Sequence, residues 1–467
     1  MKIQLDPLLG LRDFYPEDMR VRNWLFGLWR TVSNQYGFSE YDAAVLEREE
    51  LYTRKAGEEI TAQMYNFEDK DKNKVTLRPE MTPTLVRMVM NKLVLNSAGS
   101  ITSSELFPLK WFSVPQCWRF ETPQRGRKRE HYQWNMDVIG VTDISAELEL
   151  ISASVSFFEA IGLTSSDIVF RINSRSVLNQ AMIRAKVPGD LFAPACVVLD
   201  KFDKVGNTDA ERKAEVIRQL VRDVGLPQDV AEDVVRTREL SLEEIADLEG
   251  GVELSNLFAR AKDYGIADWI QFDPTVVRGL AYYTGIVWEV FVKSTEEADG
   301  PIADAPVVAT GGSPPVKFRA VSGGGRYDKL FTLYGSPVSV PCVGYGFGDC
   351  VIIEVLKDRG LIPDLKPRVD FLVGAWKGMT GGALQVARRL RLSGASVDVM
   401  MEESKKPGKI FQQADRVGAN KVAFIAPDEF ANGLVRIKDL RSGDKDNRIQ
   451  KDIPIVDLVN WRDYFGE

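Results

Sequence analysis

Five cations, Arg119, Arg125, Arg127, Lys128 and Arg129, crowd into the aromatic stretch CWRFETPQRGRKREHYQWNMDVIG (117–140) of a chain whose formal net charge is −7. A guanidinium presents a planar fork of donors that suits carboxylate or phosphate oxygens, so such a cluster can grip an anion. Strand side chains alternate between the two faces of a sheet. From Cys117 to Glu121 the odd positions hold Arg119 and Glu121, and the even ones Trp118 and Phe120. From His131 to Val138 the odd positions hold His131, Gln133, Asn135 and Asp137, and the even ones Tyr132, Trp134, Met136 and Val138. Two extended segments therefore each offer a polar and an apolar face, and the turn between them, Thr122 to Lys128, carries the positive charge. Such alternation fits a solvated outer face. The mixture of Arg, Glu, Gln, Asn and Asp fits equally a cleft that recognises a nucleotide and a zwitterion, and we favour that second reading.

The elements that must position these groups are legible in part. A chain of 467 residues exceeds one ordinary core, so two or three domains are expected. With 44% hydrophobic and 27% charged residues the composition excludes a disordered chain. Four cysteines (Cys117, Cys196, Cys342, Cys350) lack CxxC spacing, and the single histidine, His131, cannot complete a zinc set; no protein metal ligands are assigned. The negative balance argues against a general nucleic-acid coat, so any polyanion must be held by a local patch. The start, MKIQLDPLLG, has neither a signal-peptide core nor a transit pattern, and no apolar run approaches a membrane span; a cytoplasmic location and no membrane partner are expected.

Val21, Trp24, Leu25, Leu28, Trp29 and Val32 follow helical spacing behind Pro16. Short strands are expected near 64–67 and 75–77, a helix over 81–93, strands across 107–140, a buried helix over 144–162 and a strand at 166–172. Antiparallel strands with helices around them make an α+β domain. Helices dominate 175–265, and strand-like segments return at 268–272, 285–292 and 316–322. The Gly/Pro/Ala-rich 294–315 reads as a surface excursion. DRGLIPDLKPR (358–368) has linker composition, and the alternation of VDFLVGA, SVDVM and KVAFIA with helices near 380–393 and 406–417 predicts a small α/β domain with a parallel sheet. No GxGxxG opens its first helix, so a dinucleotide site is not indicated.

Several motifs resemble those of the histidyl-tRNA synthetase family, a class II aminoacyl-tRNA synthetase family. GLRDFYPEDM and TLRPEMTPTL are similar to its N-terminal signatures, and WRFETPQRGRKREHYQW to class II motif 2. RGLAYYTGIVWE (278–289) and SGGGRYDKL (322–330) resemble its two histidine-specific motifs, and the C-terminal segment resembles the anticodon-binding domain shared with the threonyl, prolyl and glycyl enzymes. The resemblance runs nearly end to end. It implies a class II catalytic domain, an α+β fold with an antiparallel sheet flanked by helices, over 1–174 and 266–357, with a helical insertion at 175–265. A linker at 358–367 and a C-terminal α/β anticodon-binding domain at 368–467 follow.

The implied activity joins histidine to ATP as histidyl-adenylate plus pyrophosphate, then transfers histidine to the 3′ end of tRNA(His), with Mg²⁺ accompanying ATP. Arg119 and Arg278 are the implied α-phosphate contacts, Glu121 the acceptor from the adenine amino group, and Arg127 and Arg129 further ATP contacts. Glu80, Thr82 and Gln133 would hold the α-ammonium; Asp137 and Tyr283, with Tyr282 beside them, the imidazole. Arg278 as a strand-edge structural residue, the two tyrosines as core aromatics and Gly323–Gly325 as a β-bulge are the plain alternatives. Gln124 and Arg125 would meet the acceptor stem, and Arg388, Arg389, Lys405, Lys406 and Lys409 the anticodon stem. Two departures stand out. Ala44 replaces the motif 1 proline that shapes the expected homodimer, and Val351 in GYGFGDCVIIEVL replaces the motif 3 arginine for the ATP γ-phosphate. Either Arg127, Arg129 or Mg²⁺ takes over that phosphate, or the chain is a non-catalytic paralogue, a histidine-sensing regulatory subunit of ATP phosphoribosyltransferase.

Overall fold

A computed structural model describes residues 3–54, 61–93, 106–199, 202, 205, 208–276, 282–293, 320–404, 406–442 and 448–466. Two compact units divide the chain, Met1–Ile362 and Pro363–Glu467. In chain order the strands of the first unit are Ser39–Glu40 (β1), Leu46–Arg48 (β2), Tyr65–Glu68 (β3), Lys74–Leu77 (β4), Leu109–Ser113 (β5) and Gln116–Trp118 (β6). Glu130–Ile139 (β7), Ile168–Ser174 (β8), Ile270–Phe272 (β9), Ile286–Val292 (β10), Ser322–Arg326 (β11) and Cys342–Gly348 (β12) complete it. The main sheet runs β1-β5-β7-β12-β11-β10-β8-β9, with β6 paired to β7; β2-β4-β3 form a small second sheet. Its interior is antiparallel as expected, while the outer pairs β1–β5 and β8–β9 are parallel, so the sheet is mixed.

Alternation decides what each face of this sheet does. Phe112, Met136, Tyr345 and Trp288 stand in one cross-strand row, and Trp134 and Phe347 in another. All are buried, and they share a core with the helices Pro16–Gln35 and Ser145–Ala160. Pro16 opens the first of these helices, and its Leu25, Trp29 and Val32 face the sheet as the spacing predicts. Trp29 stacks on Trp134 at 6.0 Å between ring centroids, and the Trp134 indole donates to Ser33 Oγ at 2.9 Å. The opposite face carries Trp111, Asp137, Asn135 and Gln133, and on the central strands little but glycine.

Helices Arg175–Arg184, Phe192–Leu199, Asp209–Gln219 and Gln228–Arg236 close around their own core of Leu178, Met182, Val216, Leu220 and Val234. Helix Glu249–Asp263 instead places Leu254, Leu257 and Ala261 in the main core. The excursion at 294–315 lies outside the described residues, as does the strand expectation at 316–319.

The second unit has Val369–Ala375 (β13), Val397–Val399 (β14), Ala419–Ile425 (β15), Leu434–Asp439 (β16) and Gln450–Pro454 (β17), in the order β14-β13-β15-β16-β17. The first three are parallel around helices Thr380–Leu392 and Pro407–Val417, as the sequence predicts. Two antiparallel strands, β16 and β17, are added beyond that expectation, so this sheet too is mixed. In β16 Val435, Ile437 and Asp439 turn inward and alternate with Arg436 and Lys438, the period-2 pattern of a half-buried strand. Among the described residues no helix is long and apolar enough to cross a membrane.

One buried ion pair braces the glycine-bearing strand. Arg326 at the end of β11 donates from Nε to Glu147 Oε1 at 2.6 Å and from Nη2 to Oε2 at 2.7 Å, and Glu147 is fully buried. Removing one partner leaves a buried charge without compensation. Glu147→Ala is expected to cost about 3–5 kcal/mol in urea unfolding of the chain.

Candidate functional site

The site face is floored by backbone. Across β10, β11, β12, β7 and β5 one row reads Val287, Gly325, Gly344, Asp137, Trp111; the next reads Glu289, Gly323, Gly346, Asn135, Ser113. A third pairs Gly348 with Gln133. Because residues two apart along a strand share a face, Gly323, Gly325, Gly344, Gly346 and Gly348 form a strip without side chains beside Gln133, Asn135 and Asp137. The strip is required by its neighbours: a Cβ on Gly344 would lie 1.9 Å from Asp137 Oδ1, and one on Gly325 2.8 Å from the Tyr283 ring.

Aromatic hydroxyls and carboxylates close over this strip. Asp137 is 3% exposed and accepts from the Tyr327 hydroxyl at 2.6 Å. Burial pushes its carboxyl up to about 7, against the Tyr327 hydrogen bond, which lowers it. Tyr327 was not among the residues expected from sequence, although it sits inside SGGGRYDKL, one place after the anchored Arg326. Tyr282 donates to Glu80 Oε2 at 3.2 Å, packs on Tyr283 with centroids 5.0 Å apart and meets Tyr327 edge-on at 6.1 Å. Both tyrosines are buried and belong also to an apolar cluster with Leu85, Val86 and Val287, so they serve core and cleft at once. Thr82 begins the helix Thr82–Met90 beside Glu80. That segment is pinned by Arg78, which is buried and donates from Nη1 to Asp42 Oδ1 at 2.9 Å and from Nε to the Gln116 carbonyl at 2.9 Å.

Arg119 joins this group. Its Nε donates to the Pro79 carbonyl at 2.9 Å, which sets the guanidinium next to Glu80, and its amide donates to the Arg129 carbonyl at 2.9 Å. The strand expected over 117–121 ends at Trp118: the Arg119 amide still reaches the Arg129 carbonyl, but the Glu121 amide turns back to the Arg119 carbonyl at 2.8 Å instead of continuing the pairing with β7. Residues 119–129 are a loop closed by the Gln124–Arg127 bridge, with Gly126 at φ +70°. Within it Arg127 pairs with Glu121, and the Arg129 guanidinium lies 3.8 Å from the Phe120 ring centroid. Arg125 pairs with Glu354 at 3.0 Å and with Asp358 on helix Asp349–Asp358. Arg278 and Lys405 lie outside the described residues.

Helix Asp349–Asp358 begins where the motif 3 arginine was sought. Val351 is 9% exposed, and a Cβ on Gly126 would meet its Cγ2 at 3.3 Å, so the loop rests on the valine. Asp349, fully buried, accepts from the Tyr132 amide at 2.9 Å and pairs with Arg12 at 3.0 Å; Arg12 also reaches Glu130 at 2.6 Å. Nothing in the sequence pattern links these three residues, since the spacing of 118 positions between Arg12 and Glu130 carries no local signal. His131 is held neutral: burial, Arg119 and Arg12 together lower it to about 3. Among the described residues no group of three or more His, Cys, Asp or Glu could hold a metal ion.

An antiparallel core sheet with a backbone-floored cleft and a basic loop at its edge is the architecture of a class II synthetase catalytic domain, and the comparisons agree. A model of the histidyl-tRNA synthetase family matches residues 10–305, and an anticodon binding domain model matches 371–461. The Arabidopsis thaliana protein named histidine–tRNA ligase, chloroplastic/mitochondrial, is 43% identical over 452 residues, covering 95% of this chain and 85% of its own. The histidine–tRNA ligase of Opitutus terrae is 34% identical, covering 98% of both. The fold is shared with the histidyl-tRNA synthetase of Nostoc sp. PCC 7120, with a TM-score of 0.70 at 22% identity over 99% of this chain and 100% of that one. The chain belongs to the histidyl-tRNA synthetase family.

The glycine strip separates two kinds of position. Gly344→Ala forces Asp137 aside and is expected to destabilise the chain by about 1–3 kcal/mol. Gly348→Ala, with nothing within 4 Å of the new Cβ, is expected to stay within about 0.5 kcal/mol in the same thermal denaturation assay.

Proposed function

We propose that this chain is a histidine–tRNA ligase. A carboxylate oxygen of histidine attacks the ATP α-phosphorus and pyrophosphate leaves; the 3′-hydroxyl of the terminal adenosine of tRNA(His) then attacks the acyl carbon and AMP leaves. The observation that carries the reading is the meeting of Glu80, Gln133, Asp137, Tyr282 and Tyr327 around one glycine-floored cleft with Arg119 at its end. A cleft edged by an anionic acceptor and phenols can satisfy both imidazole nitrogens, and would leave buried groups unpaired with any other amino acid. Tyr283, packed between Tyr282 and the strip, shapes the same wall.

Arg119, whose Nε is held by the Pro79 carbonyl, would meet the α-phosphate, and Arg278 is proposed opposite it from its motif alone. Such preorganised cations act where charge develops, without reorganising at the moment of reaction. Glu121 would exchange its partner Arg127 for the adenine amino group, which frees Arg127 and nearby Arg129 for the phosphates. Thr82 would assist Glu80 at the α-ammonium. Magnesium would enter as the counterion of ATP rather than on protein ligands. Gln124 and Arg125 would face the acceptor stem, and Arg388, Arg389, Lys405, Lys406 and Lys409 the anticodon stem.

We propose further a homodimer and a cytoplasmic location. Val45, Leu46 and Phe67 stand 38%, 43% and 49% exposed near the small sheet, apolar surface that a second copy would cover. The four cysteines are free thiols, as a reducing compartment favours.

Histidine-dependent exchange of pyrophosphate into ATP tests the assignment. Wild-type chain is expected to exchange with histidine, and Arg119→Ala to lose about a hundredfold or more in rate, by analogy with deleting one transition-state donor. An absence of exchange, together with stimulation of an ATP phosphoribosyltransferase, would decide for the regulatory paralogue. The Asp137 carboxyl adds a pH signature. With its value near 7, the anion that accepts an imidazole N–H is lost as pH falls. The KM for histidine should therefore rise below pH 7, approaching about tenfold per unit, and Asp137→Asn should flatten the profile.

A further inference from the structure

We infer that Asn135 is a direct contact to the α-ammonium of the bound amino acid, and so a residue that seats and orients the substrate in the cleft; the inference rests on histidine binding there. The residue is 4% exposed and stands on the site face of β7 between Gln133 and Asp137. Its amide nitrogen makes one marginal bond, to the Gln133 carbonyl at 3.5 Å, and its Oδ1 accepts from no described residue. Gln133 Oε1 has only the Cys117 thiol, at 3.9 Å. Both oxygens converge on one spot. A Cβ built on Gly346 would lie 3.4 Å from Asn135 Oδ1 and 3.5 Å from Gln133 Oε1, and glycine leaves that spot empty.

Two under-satisfied carboxamide oxygens, one on buried Asn135 and one on half-buried Gln133, point toward one spot and suit a donor with several N–H bonds. An ammonium meets both at once, whereas a carboxylate or phosphate would be repelled. Spacing decides which end of the ligand this is. Gln133 and Asp137 are four residues apart, roughly 13 Å along the strand, too far for one histidine to bridge from row to row. Asn135 and Asp137 are two apart, roughly 6.7 Å, comparable to the reach from an α-nitrogen to the far imidazole nitrogen. Gln133 therefore leans toward the Asn135 row, and the seat over Gly346 lies one row from Asp137.

The test compares two competitive inhibitors of exchange: histidinol, which keeps ammonium and imidazole, and imidazolepropionate, which lacks the ammonium. In Asn135→Ala the Ki for histidinol is expected to rise about tenfold or more, as for a lost bond to a charged group, while that for imidazolepropionate changes less than about twofold. Asn135→Asp, which keeps an acceptor oxygen in place, should bind histidinol within about threefold of wild type. Equal losses for both inhibitors, or none for histidinol, would overturn the inference. If Asn135→Ala does not fold, Asn135→Ser provides the same comparison. Failure of wild type to bind histidinol in calorimetry would overturn the functional reading instead, so the two failures are distinguishable.

Discussion

A sheet that lays a small polar molecule against its own backbone must keep side chains out of the way over several rows without losing its strands. Glycine weakens strand interiors, so β11 and β12, with six glycines of which five face the cleft and Gly324 the core, have to be held from outside. Here the support comes from the other face, where Trp288, Tyr345, Met136 and Phe112 fill the row between the glycine rows and pack onto helices. The Glu147–Arg326 pair fixes the end of β11 from the side. Cleft and core are thus two faces of one set of strands, and the position of Asp137, Tyr283 and Tyr327 follows from where the strip lies.

Much of the scaffold could be read from alternation and spacing. The helix behind Pro16 follows its spacing because it buries one face, the helix Ser145–Ala160 follows its nearly all-apolar composition because it is buried almost all round, and β7 follows its alternation although both its faces are buried from Trp134 on. The polar odd positions of β7 are the very residues that edge the cleft. What escaped was non-local. Tyr327 reaches Asp137 across 190 positions and Arg12 reaches Glu130 across 118, and no window of sequence contains both members of such a pair. The end of β6 was hidden too, since the pairing breaks in a tight turn from the Glu121 amide to the Arg119 carbonyl that no glycine or asparagine marks. Strand β17, QKDIP at the sheet edge, shows almost no apolar residue, whereas the alternation of Val435 and Ile437 with Arg436 and Lys438 in interior β16 is a period-2 signal that the expectation left unused.

The basic loop 119–129 is already engaged in this structure. Arg127 holds Glu121, Arg125 holds two carboxylates of helix Asp349–Asp358, and Gly126 rests on Val351. A larger, charged residue at 351 would meet the loop head-on. The helix that would otherwise supply a phosphate ligand thus supplies a platform, and its acidic residues compete for the cations that nucleotide or RNA would use. Surface pairs of this kind are weak and salt-sensitive, so the loop is held but not locked.

The clasp formed by Arg12 has a practical corollary. Gly10 accepts from the Arg129 amide at 2.8 Å, and two residues later the Arg12 guanidinium ties Glu130 and Asp349 together at the foot of the same loop. Gly10 and Arg12 are therefore part of the loop's support, although the apolar side chains before them, Ile3, Leu5, Leu8 and Leu9, are exposed. A protease nick just after Leu11 would part Gly10 from Arg12 and unmoor the loop while leaving every cleft side chain intact.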